Sequence, residues 1–366
     1  EREAPRPVLV ARMLADAFLV LFPYKGKEEL VTYCEAYSRA LNGFIVSREQ
    51  NYQLELRSGI CCVEDSDASD INSLLDRANM ALKTIKVKGA AQWKFYDHTM
   101  RDKLLREKDL EIRMEKALAD GEFLVYIQPK YWVGTRALAG GEALVRWKSP
   151  DQGFLSPGEF IPLFEKNRFI VKLDQFMFTS VCGLLRQWLD AGIEPRPLSV
   201  NVSRMQFHTP DFVERYIRIK SQYAIPDGLL ELEFTESIFF DNVALLSSAV
   251  HELRRAGIKC SIDDFGAGYS SLNVLKALPV SVLKLDGMFF RTAKDDEQAK
   301  IVIRNIMRMA GELKMATVAE GVETHEQVAF LETTGCDIIQ GYVFARPMPA
   351  VEFTELLAGE GGHAER

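Results

Sequence analysis

Two adjacent carboxylates, Asp263 and Asp264, stand where a strand-like run gives way to a glycine-containing turn. Neighbouring side chains on a strand point to opposite faces, so both carboxylates reach one site only if the backbone turns at the strand's end. Two like charges held that close repel each other, and burying them without a partner is costly. A divalent cation between them would resolve both problems. The structural alternative is that one Asp caps the next helix and the other lies in the turn.

Other predicted strands also end in acidic or amide side chains. These strand-end residues are Glu142 with Leu144 and Arg146 on one face of a strand, then Asn201, Glu233 with Glu236, Lys284 with Asp286, Glu320 with Glu323, and Gln340. A single acidic strand end is usually a helix cap. Helix capping does not explain acidic residues at the ends of five of six consecutive strands. So much converging charge needs cations to neutralise it.

The ligand types predict which metal this site would take and what it would do. With carboxylate and amide oxygens, and no His or Cys in the set, we expect Mg²⁺ or Mn²⁺ rather than zinc. Two ions sharing one Asp would activate water and hold a phosphodiester for in-line attack. Arg146 suits a phosphate contact, and Lys284 would polarise the attacking water or offset negative charge. Schiff-base chemistry at Lys284 is an alternative. It requires a lysine with a lowered pKa, whereas the neighbouring carboxylates would raise the pKa of Lys284.

The strands that carry these residues alternate with helical patterns. Strands are predicted at 123–128, 139–146, 198–202, 230–234, 259–264, 282–286, 317–321 and 338–342. Helices separate most of them, including 173–189, 243–255 and 297–313. This α/β order predicts a (β/α)8 TIM-type barrel, whose chemistry lies at the C-terminal ends of the strands. The connection 131–138 is too short for a helix, so we expect an irregular barrel with an antiparallel first strand.

The chain length of 366 residues predicts more than one domain. We assign 1–97 to an incomplete α/β domain, 98–120 to a linker helix, 121–358 to the barrel and 359–366 to a flexible tail. The first domain is expected to hold strands 18–22, 52–62 and 93–96 and helices 28–41 and 72–85, with no strand before Phe18. In the linker helix, Leu110, Met114 and Leu118 form an apolar stripe.

Charge and composition exclude several functional classes. The net charge of −7 argues against binding a nucleic-acid polymer or an anionic membrane surface. No apolar run approaches the ~20 residues of a membrane span. The six cysteines show no disulfide or metal-ligand spacing, which favours a reduced, cytoplasmic setting. The chain begins without Met, and we interpret it as part of a longer protein.

The first domain resembles GGDEF (diguanylate cyclase) domains. The run 11–18 is similar to the family's signature hairpin, and the runs at 58–60, 77–82 and 95–97 resemble its later elements. Leu14 and Ala15 replace both glycines that let the hairpin approach a nucleotide, and Ala17 replaces a carboxylate. The resemblance therefore implies a degenerate regulatory or scaffolding remnant without cyclase chemistry.

The barrel resembles EAL-domain cyclic di-GMP phosphodiesterases over about residues 122–357. The motifs are Gln128-Pro129, Glu142-Ala143-Leu144-Val145-Arg146-Trp147, Asn201-Val202-Ser203, Glu233-Phe234-Thr235-Glu236-Ser237, 263–272, Lys284-Leu285-Asp286-Gly287, 319–324 and Gln340-Gly341-Tyr342. No metal-ligand position departs from the family pattern. The resemblance implies hydrolysis of cyclic di-GMP to linear pGpG. The alternative is a receptor that binds cyclic di-GMP without turnover.

The resemblance also implies a role for each site residue. Glu142, Asn201, Glu233 and Asp263 would hold the first metal, and Asp263, Asp264 and Glu320 the second. Lys284 and Gln340 would lie at the reacting phosphate. Contacts to the substrate would come from Gln128, Leu144, Arg146, Asp286 and Glu323. Glu236 would brace the loop that begins at Phe265 and Gly266, which couples a barrel-to-barrel homodimer to metal binding.

Overall fold

The computed structural model describes residues 9–46, 56–63, 70–85, 92–236, 238, 243–266, 279–292 and 296–361. The chain divides into two compact units, Glu1–Asp109 and Leu110–Arg366. The division falls inside the helix that we predicted over 98–120. None of the described helices is long and apolar enough to span a membrane.

The first unit contains two separate pairs of strands within its described part. Its elements are β1 (Leu9–Leu14), β2 (Ala17–Leu21), α1 (Lys27–Val46), β3 (Ser58–Ile60), α2 (Ile71–Lys83) and β4 (Trp93–Phe95). Strands β1 and β2 form an antiparallel hairpin, whereas β3 and β4 pair in parallel. A small core forms around Leu30, Tyr33 and Cys62. Residues 52–55 of the predicted strand 52–62 lie outside the described part.

The apolar pattern alone predicted no strand before Phe18, and this was wrong: β1 precedes Phe18 and forms a hairpin with β2, in the region where residues 11–18 resemble the signature hairpin. Arg12 interrupts the apolar run of β1, which weakens its signal when the segment is considered alone. The strand instead depends on pairing with β2 across a tight turn, where Ala15 has a φ of 48°. Arg12 Nε donates a hydrogen bond to the Ala15 carbonyl oxygen at 2.8 Å, which braces the turn.

The second unit is built on one closed sheet with two short extensions. Its strands are β5 (Phe123–Trp132), β6 (Leu138–Ser149), β7 (Gly153–Leu155), β8 (Leu198–Asn201), β9 (Leu230–Thr235), β10 (Ile258–Phe265), β11 (Val282–Leu285), β12 (Ala316–Ala319), β13 (Ile338–Ile339) and β14 (Met348–Pro349). All except β7 and β14 form an eight-stranded barrel, closed by pairing of β5 with both β6 and β13. This confirms the predicted barrel.

Strand β5 is antiparallel to β6, as predicted, and it is also antiparallel to β13, while β6 and β8 to β13 pair in parallel. The turn between β5 and β6 is closed by a hydrogen bond from the Trp132 N–H to the Ala137 carbonyl oxygen, at 3.0 Å. Parallel pairing would need a crossover of a dozen or more residues, which this connection does not provide.

Helices cover the outer surface of the barrel. The unit's helices are α3 (His98–Ala119, which begins in the first unit), α4 (Pro157–Asn167), α5 (Ile170–Asp190), α6 (Phe212–Gln222), α7 (Val243–Arg255), α8 (Met288–Thr292), α9 (Glu297–Glu312), α10 (His325–Glu332) and α11 (Ala350–Gly361), with a 3₁₀ helix at Arg204–His208. In α5, the buried residues Met177, Val181, Leu185 and Trp188 recur at helical spacing and join the main core.

The apolar stripe predicted in the linker helix packs as expected. Leu110 is buried, and Met114 and Leu118 are partly buried against a cluster that includes Trp147 and Phe160. The C-terminal half of α3 is therefore part of the second unit's core.

A buried carboxylate ties α5 to the turn that follows β8. Asp174 Oδ2 accepts hydrogen bonds from the Ser203 N–H at 3.0 Å and from Gln206 Nε2 at 3.2 Å. Burial raises the pKa of Asp174 to about 7, although both hydrogen bonds oppose the shift. Ser203 lies two residues after Asn201, so this contact fixes the end of β8.

We expect Asp174 to make stability depend on pH. Its pKa is raised in the folded state, so the unfolded chain releases the proton first and the free energy of unfolding falls as pH rises from about 4 to about 7. The substitution D174N keeps an oxygen acceptor without the charge. The free energy of unfolding of D174N, relative to that of the wild type, should therefore rise by roughly 3 kcal/mol between pH 4.5 and pH 8.

Urea unfolding at several pH values measures this difference. The control is D190N on the same helix, where the Asp190 side chain is 66% exposed and pairs with Arg186. If D174N and D190N show the same pH dependence, Asp174 does not carry a raised pKa.

Candidate metal centre

The C-terminal ends of the parallel strands deliver polar side chains to the barrel interior. The register places Asn201 beside Glu233, and Thr235 beside Asp263. Because side chains alternate along a strand, Glu233 and Asp263 face the interior at neighbouring levels. The interior that a TIM barrel normally fills with branched apolar residues is here largely polar at this end.

Lys284 is fully buried and lies among four carboxylates. Its Nζ is 2.6 Å from Glu320 Oε1, 3.0 Å from Asp263 Oδ1 and 3.5 Å from Glu142 Oε2, and it also contacts Glu233 Oε2. Burial by itself lowers the pKa of Lys284, but the carboxylates raise it well above its usual value. Lys284 is therefore protonated, which is incompatible with the neutral amine needed for a Schiff base.

Glu233 is held by two lysines, one at each oxygen. Lys130 Nζ is 2.9 Å from Glu233 Oε1 and 2.7 Å from Ser199 Oγ, while Lys284 contacts Oε2. Burial would raise the pKa of Glu233, but the two ammonium groups lower it to about 2. Sequence reasoning missed Lys130. Its signal was its position two residues after Gln128, on the same face of β5.

The structure brings Asp263, Asp264 and Glu320 together: one carboxylate oxygen from each lies within 4.8 Å of the others. The register of β10 against β11 shifts between Ile262 and Phe265, and Asp264 adopts a φ of 54°. That left-handed conformation is rare for a residue other than glycine, and it marks a locally strained site. Burial raises the pKa of Asp264 to about 6, with Asp263 and Asp286 adding repulsion.

Amide side chains connect the remaining predicted ligands. Asn201 Nδ2 donates to Glu142 Oε1 at 2.6 Å, and Gln340 Nε2 donates to Glu142 Oε2 at 2.6 Å. Gln340 Nε2 also lies 3.1 Å from Gln128 Oε1. Gln340 Oε1 is buried and has no hydrogen-bond partner among the described residues. It is therefore available to a group that the chain does not supply.

The start of the predicted coupling loop is tightly held. The Gly266 N–H donates to Glu236 Oε2 at 3.2 Å, and Phe265 is buried. Gly266 has a φ of 94°, and a Cβ there would lie 2.0 Å from the ring of Phe289, so only glycine fits. The rest of the loop predicted over 265–271 lies outside the described residues.

The predicted substrate-binding residues are spread around the site. Half-buried Leu144 pairs with Tyr126, and the Arg146 guanidinium carbon lies 5.5 Å from the centre of the Tyr126 ring. Asp286 Oδ1 accepts the Met288 N–H at 2.6 Å and so caps α8. Glu323 is exposed, and its carboxylate is 3.8 Å from Arg291. The structure places Glu323 outside the cluster around Lys284.

The donor set fits a pair of hard divalent cations. The residues grouped around Lys284 in the described part of the chain contribute carboxylate and amide oxygens. Two ammonium groups, those of Lys284 and Lys130, lie among five carboxylates, which leaves an excess of acidic groups that a hard cation would offset.

Comparison with family models gives a match in each part of the chain. The family model for the EAL domain matches residues 112–347, and the model for "Diguanylate cyclase, GGDEF domain" matches residues 5–92. A solved structure described as a PaMucR phosphodiesterase in complex with c-di-GMP is 35% identical, covers 67% of this chain and 99% of that one, and has a TM-score of 0.63.

Curated proteins of similar sequence match nearly the whole chain. The bifunctional diguanylate cyclase/cyclic di-GMP phosphodiesterase MucR of Pseudomonas aeruginosa is 30% identical over 95% of this chain and 51% of its own. Cyclic di-GMP phosphodiesterase NbdA of the same species is 31% identical over 95% of this chain and 44% of its own. The chain thus spans about half the length of the curated relatives it matches. By the match over its barrel, the chain belongs to the EAL domain family, and a region that matches the GGDEF domain model precedes the barrel.

Proposed function

We propose that the barrel hydrolyses cyclic di-GMP to the linear dinucleotide pGpG with two Mg²⁺ or Mn²⁺ ions. The observation that carries the proposal is the convergence of four carboxylates on Lys284. Two of these four, Asp263 and Glu320, also form a compact group with Asp264. Similar proteins named as cyclic di-GMP phosphodiesterases, and a similar phosphodiesterase solved with c-di-GMP, support the choice of substrate.

Each ion has a set of ligands in the proposal. Glu142, Asn201, Glu233 and Asp263 would hold the first ion, and Asp264 and Glu320 would join Asp263 around the second. A bound pair of divalent ions supplies Lewis acidity and lowers the pKa of a water molecule between them. Asp263 would be shared by both ions, because Lys284 contacts both Asp263 and Glu233, and an oxygen of Asp263 lies within 4.8 Å of oxygens of Asp264 and Glu320.

The chain's own polar groups would position the phosphodiester. Lys284 would polarise the attacking water or offset negative charge as it develops at the phosphate. Gln340, whose buried Oε1 has no partner among the described residues, and Gln128, its neighbour, orient the reacting group. Arg146 binds a phosphate oxygen. Leu144, Asp286 and Glu323 contact the rest of the dinucleotide.

A receptor that binds cyclic di-GMP without turnover is the second candidate function. The intact donor set argues against it, because every predicted metal-ligand position carries an oxygen donor. We further propose that Glu236, Phe265 and Gly266 couple the loop after β10 to a second barrel in a homodimer. The setting would be the bacterial cytoplasm, alone or below a membrane-attached sensor.

The first experiment measures turnover of cyclic di-GMP by the purified chain in Mn²⁺ or Mg²⁺, with pGpG followed by chromatography. We expect EDTA to abolish product and D263N to lower kcat/KM by about 1,000-fold or more, since a shared metal ligand stabilises the transition state by several kcal/mol. The surface substitution D190N is the control and should leave turnover unchanged. Tight binding of cyclic di-GMP by the wild type without any pGpG would favour the receptor instead.

A second experiment tests the proposal that the GGDEF domain is catalytically inactive. Leu14 and Ala15 occupy the end of β1 and its turn, and the Leu14 side chain is largely exposed. Both replace glycines that, in the family, let the hairpin approach a nucleotide. We expect no cyclic di-GMP from GTP and Mg²⁺ when hydrolysis is blocked by D263N. Accumulation of cyclic di-GMP in that variant would show that the domain is an active cyclase.

A further inference from the structure

Lys130 is a buried lysine beneath the candidate metal centre, with a side chain that is 7% exposed. It lies on β5, where its partner in β6 is Gly140, and it points to the same face as Gln128. A buried ammonium group is costly unless its charge and its hydrogen bonds are matched. Lys130 meets that requirement through Ser199 Oγ at 2.7 Å and Glu233 Oε1 at 2.9 Å.

These two contacts join three strands beneath the cluster. Lys130 comes from β5, Ser199 from β8 and Glu233 from β9, and Ser199 lies two residues before Asn201 on the same strand. The Ser199 hydroxyl and the Glu233 carboxylate thus fix the position of the ammonium group. In turn, the ammonium group fixes Glu233 Oε1 on the side away from Lys284.

The division of the Glu233 carboxylate between two lysines has a consequence for its orientation. Lys130 contacts Oε1 and Lys284 contacts Oε2, so the plane of the carboxylate cannot turn without losing an ion pair. Oε2 is the oxygen directed toward the other carboxylates, because Lys284 also contacts Asp263 and Glu320.

We propose that Lys130 is a positioning residue for the metal centre. It holds Glu233 Oε1 so that Oε2 faces a divalent cation bound among Glu142, Asn201 and Asp263. The inference rests on the proposed function, since it takes Glu233 to be a metal ligand. Hydrogen-bond partners of ligating carboxylates typically contribute 10–100-fold to metal affinity, which sets the expected size of the effect.

The test is the affinity of the full chain for Mn²⁺ without substrate, from the electron paramagnetic resonance signal of free Mn²⁺ during titration. K130M keeps an apolar stem but removes the ammonium group, and we expect it to weaken Mn²⁺ binding by about 10–100-fold. K130Q can still donate a hydrogen bond toward Glu233 Oε1, so it should bind Mn²⁺ more tightly than K130M.

The matched control is K220M. Lys220 is also buried, at 8% side-chain exposure, but it pairs with Asp227 and the Ala256 carbonyl oxygen on the outside of the barrel. K220M should lower the melting temperature without changing the affinity for Mn²⁺. If K130M does not fold, K130L, which also cannot donate a hydrogen bond, replaces it in the comparison with K130Q, and equal affinities of these two variants overturn the proposal.

The outcomes separate this inference from the function on which it rests. If the wild type binds no Mn²⁺, the proposed metal-dependent function fails. If the wild type binds Mn²⁺ and K130M binds it equally or more tightly, the function stands and the role of Lys130 is overturned. If K130Q binds Mn²⁺ no more tightly than K130M does, the proposal that Lys130 orients the Glu233 carboxylate is also overturned.

Discussion

Burial of several carboxylates around one lysine is the constraint on which the rest of the barrel depends. Glu142, Glu233, Asp263 and Glu320 all contact Lys284 in an interior from which water is largely excluded. An ion moved there costs several kcal/mol unless its charge and its hydrogen bonds are matched. A site of this kind is stable only when separate strands hold every partner at fixed positions.

The closed sheet provides those positions. Strand β5 is antiparallel to both neighbours, so the strand that carries Gln128 and Lys130 runs opposite to β9, which carries Glu233. The bulge after Ile262 turns Asp264 out of the regular alternation and toward Glu320. The surrounding apolar core, from Trp188 on α5 to Leu253 on α7, stabilises the barrel against the repulsion inside it.

Much of this arrangement follows from the sequence because strand periodicity and strand order are local signals. The alternation of eight strand patterns with helical patterns predicted the barrel. Acids at successive strand ends then predicted the convergence of Glu142, Glu233 and Asp263, since the C-terminal ends of the parallel strands meet on one face. The short connection between β5 and β6 predicted their antiparallel pairing. A turn that brings Asp263 and Asp264 to one site was also expected, and the φ of Asp264 provides it.

The parts that the sequence did not predict depend on tertiary contacts. Lys130 sits in a strand with no acidic neighbour in sequence, and its partners Ser199 and Glu233 are 69 and 103 residues away. Strand β1 forms only by pairing with β2, so its broken apolar run carried too little signal by itself. Glu323 matched a motif, yet its position after β12 leaves its side chain exposed, which no local pattern indicates.

The measurement that tests the central claim most directly is the number of Mn²⁺ ions bound per chain at saturation, together with the magnetic coupling between them. The account predicts two ions per barrel in the wild type, coupled through the shared Asp263 carboxylate. It also predicts that the coupled signal is lost in D263N. A single uncoupled ion, or none, would contradict the two-metal account of this cluster.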